Sequence, residues 1–209
     1  HSSCFDKVNA AHGVVNKVIA DNKTVYGINT GFGLLANTKI SVDQLEILQS
    51  NIVLSHAAGV GDFLSDDVVA LILLLKINAL CQGHSGVSLE LVNALLALLN
   101  SKVYPCIPEK GSVGASGDLA PLAHLCCPLL GEGQMRYEGK IISASEGLRI
   151  AGLSPMVLKP KEGLALLNGT QVSTALALKA LFETEILFSS ALVTGSLSID
   201  ALKGSLKPF

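Results

Sequence analysis

Residues 111–124 read Gly-Ser-Val-Gly-Ala-Ser-Gly-Asp-Leu-Ala-Pro-Leu-Ala-His. Gly111, Gly114 and Gly117 fall within seven residues, and Asp118 closes the small-residue run. So little side chain leaves the backbone free to bend sharply and to be approached closely. The apolar residues beyond it predict a helix over Leu119–Leu130, with Pro121 tolerated in its first turn. Asp118 then stands at the loop-to-helix boundary, where an acid serves as N-cap or first-turn residue. A nucleophile elbow requires G-x-S-x-G. Gly114-Ala115-Ser116-Gly117-Asp118 fails at its last position, and Gly83-His84-Ser85-Gly86-Val87 fails at Val87. No P-loop is present, and Gly27, Gly31 and Gly33 lack the dinucleotide spacing. Serine hydrolase and nucleotide-binding chemistry are therefore disfavoured.

Outward from this loop the pattern is mainly helical. Ser41 followed by Gln44 forms a capping-box pattern that opens a helix to about Ala58. Ser65-Asp66-Asp67 caps a helix from Asp66 to Cys81, and Ser88 starts a third. In the third, Leu91, Leu95 and Leu98 share a face that Val92, Leu96 and Leu99 widen, so most sides are expected to be buried. Met135–Ile142 reads as a small hairpin around Glu138-Gly139. Ser143 and Glu146 form a second capping box, and Gly152 ends the helix they open. Asn168-Gly169 breaks the chain before a long apolar helix over Gln171–Val193. Asn22–Lys39 and Ser101–Gly117, rich in Gly and Pro, read as long ordered loops of the kind that carries function.

Composition narrows the class. Of 209 residues, 49% are hydrophobic and 15% charged, against about 25% charged in an ordinary soluble domain. The surplus apolar surface points to subunit packing. The most apolar run, Val68–Leu75, has only eight residues and is flanked by Asp67 and Lys76. A membrane span needs about 20, so this is a buried helix. The N-terminal His1-Ser2-Ser3-Cys4 has no signal-peptide pattern, and both chain ends read as those of a fragment. The formal charge of −2, with no basic stripe, disfavours nucleic acid. Five cysteines, an odd number without a C-x-x-C pair, argue against a disulfide framework and a zinc site and suit a reducing cytoplasm. The spacing of His12, His84 and His124 gives no metal site either, and these three read as structural.

The 111–124 stretch closely resembles the signature of the aromatic amino acid ammonia-lyases. Three further segments resemble that family in the same order: Tyr26-Gly27-Ile28-Asn29-Thr30-Gly31-Phe32-Gly33, Leu54-Ser55-His56-Ala57-Ala58-Gly59, and Leu166-Leu167-Asn168-Gly169-Thr170-Gln171. The resemblance runs from about Val25 to Phe209. It implies a mainly α fold: a single N-terminal helical domain over residues 1–209, with long ordered loops and a small hairpin. The last helix would be the first of a bundle whose remainder lies in a longer chain. The resemblance also implies a cofactor made from the chain itself. In that family Ala-Ser-Gly becomes 4-methylideneimidazole-5-one, MIO, with no metal or nucleotide. The Gly117 nitrogen would attack the Ala115 carbonyl carbon, and loss of water with dehydration of Ser116 would leave an electrophilic methylene. Gly117 permits the close approach, Ser116 supplies the hydroxyl that leaves, and Ala115 is small enough for the turn.

The same resemblance implies further roles. Tyr26 would act as a base at the substrate β-carbon or on its amine, where the residue alone reads as a packed loop aromatic. Asn168 would hold the MIO carbonyl oxygen or the substrate amine. Gln171 and Asn29 would support that network, and Asp118 the cyclisation. Ser55-His56 resembles the histidine-specific branch, in which an imidazole substrate exchanges a hydrogen bond with His56. The implied activity is deamination of L-histidine to trans-urocanate and ammonia by a cytoplasmic homotetramer whose sites need several subunits, so that the 209 residues alone would be inactive. A phenylalanine or tyrosine ammonia-lyase, a related aminomutase and a non-catalytic helical assembly module are the alternatives.

Overall fold

The computed structural model describes residues 3–205 and 207; the expectations that fall on His1, Ser2 and Phe209 lie outside the described residues. Among these are eight α-helices and five short strands. Helices α1 (Ser3–Ala20), α2 (Leu45–His56), α3 (Asp66–Cys81) and α4 (Leu89–Ser101) come first. They are followed by α5 (Leu119–Cys126), α6 (Ala144–Ile150), α7 (Glu162–Leu167) and α8 (Gln171–Ala201). Strand β1 (Val60–Phe63) pairs antiparallel with β3 (Pro108–Lys110), in register Val60 to Lys110 and Phe63 to Pro108. Strands β2 (Tyr104–Pro105), β4 (Gln134–Tyr137) and β5 (Lys140–Ser143) form a second antiparallel sheet in that spatial order. The fold is mainly α, as the periodicity predicts.

The centre of the core is α3. Its face of Val68, Val69, Ile72, Leu73, Ile77 and Leu80 is buried against α4 and the first turns of α8. The helix is apolar enough to be buried but too short to span a bilayer, and no helix among the described residues is long and apolar enough to cross a membrane. Helix α4 begins as expected, with the Ser88 hydroxyl accepting from Leu91 N at 3.3 Å, and buries Leu91, Val92, Ala94, Leu95 and Leu98. Helices α2, α5 and α7 pack on one another.

Several boundaries differ from the sequence expectation. The Ser41 side chain makes no cap bond. A 3₁₀ turn over Val42–Gln44 precedes α2, and α2 ends at His56 rather than Ala58. The Leu119–Leu130 helix divides into α5 and a 3₁₀ turn over Cys127–Leu130, because Pro128 cannot supply the backbone N–H that α5 would need to continue. The Ser101–Gly117 loop contains β2 and β3. Helix α8 runs past Val193 to Ala201. There Thr194, Ser196 and Ser198 turn their hydroxyls back onto the helix carbonyls four residues earlier, so polar residues extend it without needing outside partners. Helix α1 has no counterpart among the expected elements, since it buries little beyond Val8 and Val15. The hairpin is as expected: Glu138 (φ 48°) and Gly139 (φ 76°) both lie at positive φ between Tyr137 and Lys140, the geometry that a two-residue turn between twisted strands demands.

Candidate functional site

The 111–118 loop crosses the turn between α7 and α8, and backbone bonds hold the two together. Asp118 N donates to Gly169 O at 2.8 Å, and Gly117 forms a parallel bridge with Gly169. A Cβ on Gly117 would lie 2.3 Å from Gly169 O, and Gly117 has φ 98°, so no other residue fits there. Ser116 sits at φ 61°, a left-handed conformation that costs an ordinary residue about 1 kcal/mol. Ala115 and Ser116 are exposed, whereas Asp118 is buried.

Asp118 occupies the N-cap position of α5 without capping it. Its carboxylate instead turns to α8. Oδ1 accepts from Ser173 Oγ at 2.6 Å and from Ser112 Oγ at 3.0 Å, and Oδ2 accepts from Ser173 N at 2.8 Å. Thr170, the local N-cap of α8, makes no side-chain cap bond. Asp118 therefore supplies the missing acceptor from 55 residues away, and places its charge at the positive end of the longest helix.

Asn168 ends α7, and its carbonyl accepts from Lys76 Nζ at 2.7 Å while its side chain stays exposed. Gln171 opens α8. Its Oε1 is buried with no hydrogen-bond partner among the described residues, and it would contact a Cβ placed on Gly169 at 2.3 Å. Ser116, Gly117, Asp118, Asn168 and Gln171 are thus brought to one turn. Asn29 is not part of it: its amide accepts from Val25 N at 2.9 Å and donates to Lys23 O at 2.7 Å, bracing its own loop. Tyr26 is 59% exposed and meets Phe32 edge-on, with ring centroids 5.9 Å apart. Its neighbour Gly27 abuts Leu164 of α7, which sets the Tyr26 loop beside the helix that ends at Asn168. A groove of about 1050 Å³ bounded by Glu46, Asn93, Pro155 and Lys159 includes none of these residues.

His56 closes α2. Its Nδ1 lies 2.7 Å from Ile52 O and 3.2 Å from Ser55 Oγ. A carbonyl only accepts, so Nδ1 carries a proton, and in the neutral ring Nε2 is the acceptor. The segment beyond it is pinned to α5, where Gly59 N donates to His124 Nε2 at 2.9 Å.

The sequence matches the family model described as aromatic amino acid lyase over residues 1–209. The chain belongs to the aromatic amino acid lyase family. Curated relatives include histidine ammonia-lyase of Legionella pneumophila (strain Lens), 69% identical over 207 residues, which are 99% of this chain and 41% of that protein. The solved histidine ammonia-lyase of Trypanosoma cruzi superimposes with a TM-score of 0.90 at 40% identity, covering 98% of this chain and 39% of that one. Pantoea agglomerans phenylalanine aminomutase gives 0.92 at 35% identity, covering 100% and 40%. The chain thus spans about two fifths of the length of these relatives. Their shared fold does not separate lyase from aminomutase, so specificity has to be argued from side chains.

Three residues of this lyase chain escape the sequence reading. Ser173 and Ser112 matter only through Asp118: Ser112 lies six residues from it within the same loop, whereas Ser173 lies 55 residues away, beyond any local pattern. Lys76 carries a readable signal: it falls on the apolar face of α3, between Leu73 and Ile77.

His124 gives a pH prediction. It is buried enough that its pKa lies below the ordinary value, and only the neutral ring can accept from Gly59. A lowered folded pKa means that the unfolded chain takes up a proton that the folded site resists. The stabilisation, of order 1 kcal/mol, is therefore full above pH about 6.5, the unfolded value. It is lost as the pH falls from there through the lower folded value. Urea unfolding of wild type and His124→Gln at a series of pH values is expected to differ in midpoint above that range and to converge below it.

Proposed function

We propose that this chain supplies the electrophile-forming part of a histidine ammonia-lyase, which converts L-histidine to trans-urocanate and ammonia. The observation that carries the proposal is the Gly117–Gly169 crossing, where a left-handed Ser116 precedes a glycine that tolerates no Cβ. That bend, the exposed Ser116 hydroxyl and the small Ala115 fit the formation of MIO from residues 115–117. When formed, MIO offers an electrophilic methylene to the substrate amine and makes that amine a better leaving group. Asp118 holds the strained turn through Ser112 and Ser173. The exposed Asn168 amide supplies a donor where negative charge gathers, and Tyr26, standing beside α7, takes a proton from the substrate. With Gln171 Oε1 already buried against Gly169, that side chain braces the turn.

Specificity for histidine rests on His56. With Nδ1 committed to Ile52 O, Nε2 accepts a hydrogen bond from a substrate imidazole N–H and has nothing to receive from a phenyl ring. A site built to hydrogen-bond its substrate rejects analogues that lack the group. Identity to the Legionella histidine ammonia-lyase supports the same choice. Activity, substrate and the homotetramer belong to the whole protein. Association is supported by α8, which beyond Ala180 exposes Phe182, Ile186, Leu187, Phe188, Leu192 and Val193. A cytoplasmic location fits the five thiols.

Assays of the whole protein with L-histidine and L-phenylalanine test this. Wild type is expected to deaminate histidine only. His56→Leu is expected to lose roughly 10²-fold in kcat/KM for histidine, the scale of a lost polar contact in a buried site. Deamination of phenylalanine by wild type at an equal rate favours a phenylalanine ammonia-lyase, and its conversion to a β-amino acid favours an aminomutase.

A further inference from the structure

Lys76 is the largest fully buried side chain among the described residues, at 1% exposure. It lies on the face of α3 that is otherwise Val68, Val69, Ile72, Leu73, Ile77 and Leu80. The ion pairs of the described residues do not include it. Its Nζ donates to one neutral acceptor, the Asn168 carbonyl, at 2.7 Å. Burial pushes its pKa down to about 8. An ammonium taken out of water without a counter-charge costs stability, and a methionine would fill the same space without that cost. Packing therefore gives no reason for a lysine here, whereas its single hydrogen bond does.

We propose that Lys76 is a positioning residue for the reacting tripeptide: its buried ammonium holds the Asn168 carbonyl and so sets the Asn168-Gly169 turn against which Ser116-Gly117-Asp118 is bent. The contacts form a continuous chain. Lys76 holds Asn168 O, the next carbonyl, Gly169 O, accepts from Asp118 N, and Gly117 rests on Gly169. The same turn presents the Asn168 side chain. Without Lys76 the Asn168 carbonyl loses the donor that fixes it, and the turn relaxes to find another. Tripeptide and amide then lose their mutual placement.

The inference rests on the proposed function, so wild type is measured first, in the whole protein, for turnover of L-histidine and for the near-ultraviolet absorbance of MIO. Absence of both in wild type defeats the proposed function. Against an active wild type, Lys76→Met is expected to melt at or above the wild-type temperature, because it removes a buried charge. It is also expected to lose kcat by about 10²-fold, the scale of an ångström's misplacement, with MIO absorbance reduced and KM little changed. Lys76→Gln, which keeps an N–H donor, is expected to fall between the two. Wild-type kcat and absorbance in Lys76→Met overturn the proposal. So does a loss of activity in both variants that only tracks the loss of folded protein, since Lys76 is then structural alone.

Discussion

A Ser116→Ala protein is expected to fold normally and to lose its activity almost completely. Alanine lacks the hydroxyl whose departure creates the methylene, so the electrophile cannot form whatever the geometry of the turn. The substitution is otherwise mild. Ser116 is exposed and already at φ 61°, and alanine in that conformation is strained no more than serine. Stability should stay within about 0.5 kcal/mol of wild type, as for most surface substitutions. Turnover of L-histidine should fall by on the order of 10³ or more, about 4 kcal/mol of barrier. The near-ultraviolet absorbance should vanish with it. Full turnover in this variant sinks the MIO account.

Gly117→Ala is expected to fail for a different reason and with a different signature. The new Cβ would meet a backbone oxygen, Gly169 O, at 2.3 Å, and alanine would have to hold φ 98°. The backbone strain alone costs about 1–3 kcal/mol. The turn can yield only by opening the bond from Asp118 N to Gly169 O, which separates the tripeptide from Asn168. Both the melting temperature and the turnover should fall, whereas Ser116→Ala lowers only the second. Gly114→Ala is the control. That glycine also has positive φ, 72°, but nothing lies within 4 Å of its would-be Cβ. It should lose about 1 kcal/mol of stability and keep most of its activity. Equal damage at 114 and 117 would mean that the turn tolerates no side chain anywhere and that the Gly117–Gly169 crossing is not special.

How much of the fold is legible in the sequence depends on how local the cause is. Helices α4 and α6 and the β4–β5 hairpin follow from caps and turn residues within a few positions of one another, and α3 follows from its apolar run, since Ser65 at its N-cap makes no side-chain cap bond. Helix α1 is hidden because Val8 and Val15 make too thin an apolar stripe to stand out. The 3₁₀ turn before α2 is hidden because Ser41 has the right identity for a cap but its side chain makes no cap bond. At the site, the tripeptide and Asn168-Gly169 are legible as small residues and a helix break, and the family resemblance gives them roles. That they touch is not legible, because Gly117 and Gly169 are 52 residues apart in the chain. Asp118 is the clearest case. In the sequence it reads as the cap of α5, yet its side chain makes no cap bond there and caps α8 through Ser173, since a helix end with no acceptor of its own takes one from wherever the chain brings it. Lys76 marks the polar boundary of an apolar run in the sequence, but its place on the buried face of α3 makes it part of the core.

Cyclisation of the tripeptide is read most directly from the mass of the peptide that carries residues 115–117, taken from the active whole protein by proteolysis and mass spectrometry. Formation of MIO gives a peptide lighter by two water molecules, with the loss confined to Ala115-Ser116-Gly117 and absent from Ser116→Ala beyond the change of residue. An unmodified peptide from protein that still deaminates L-histidine would contradict it.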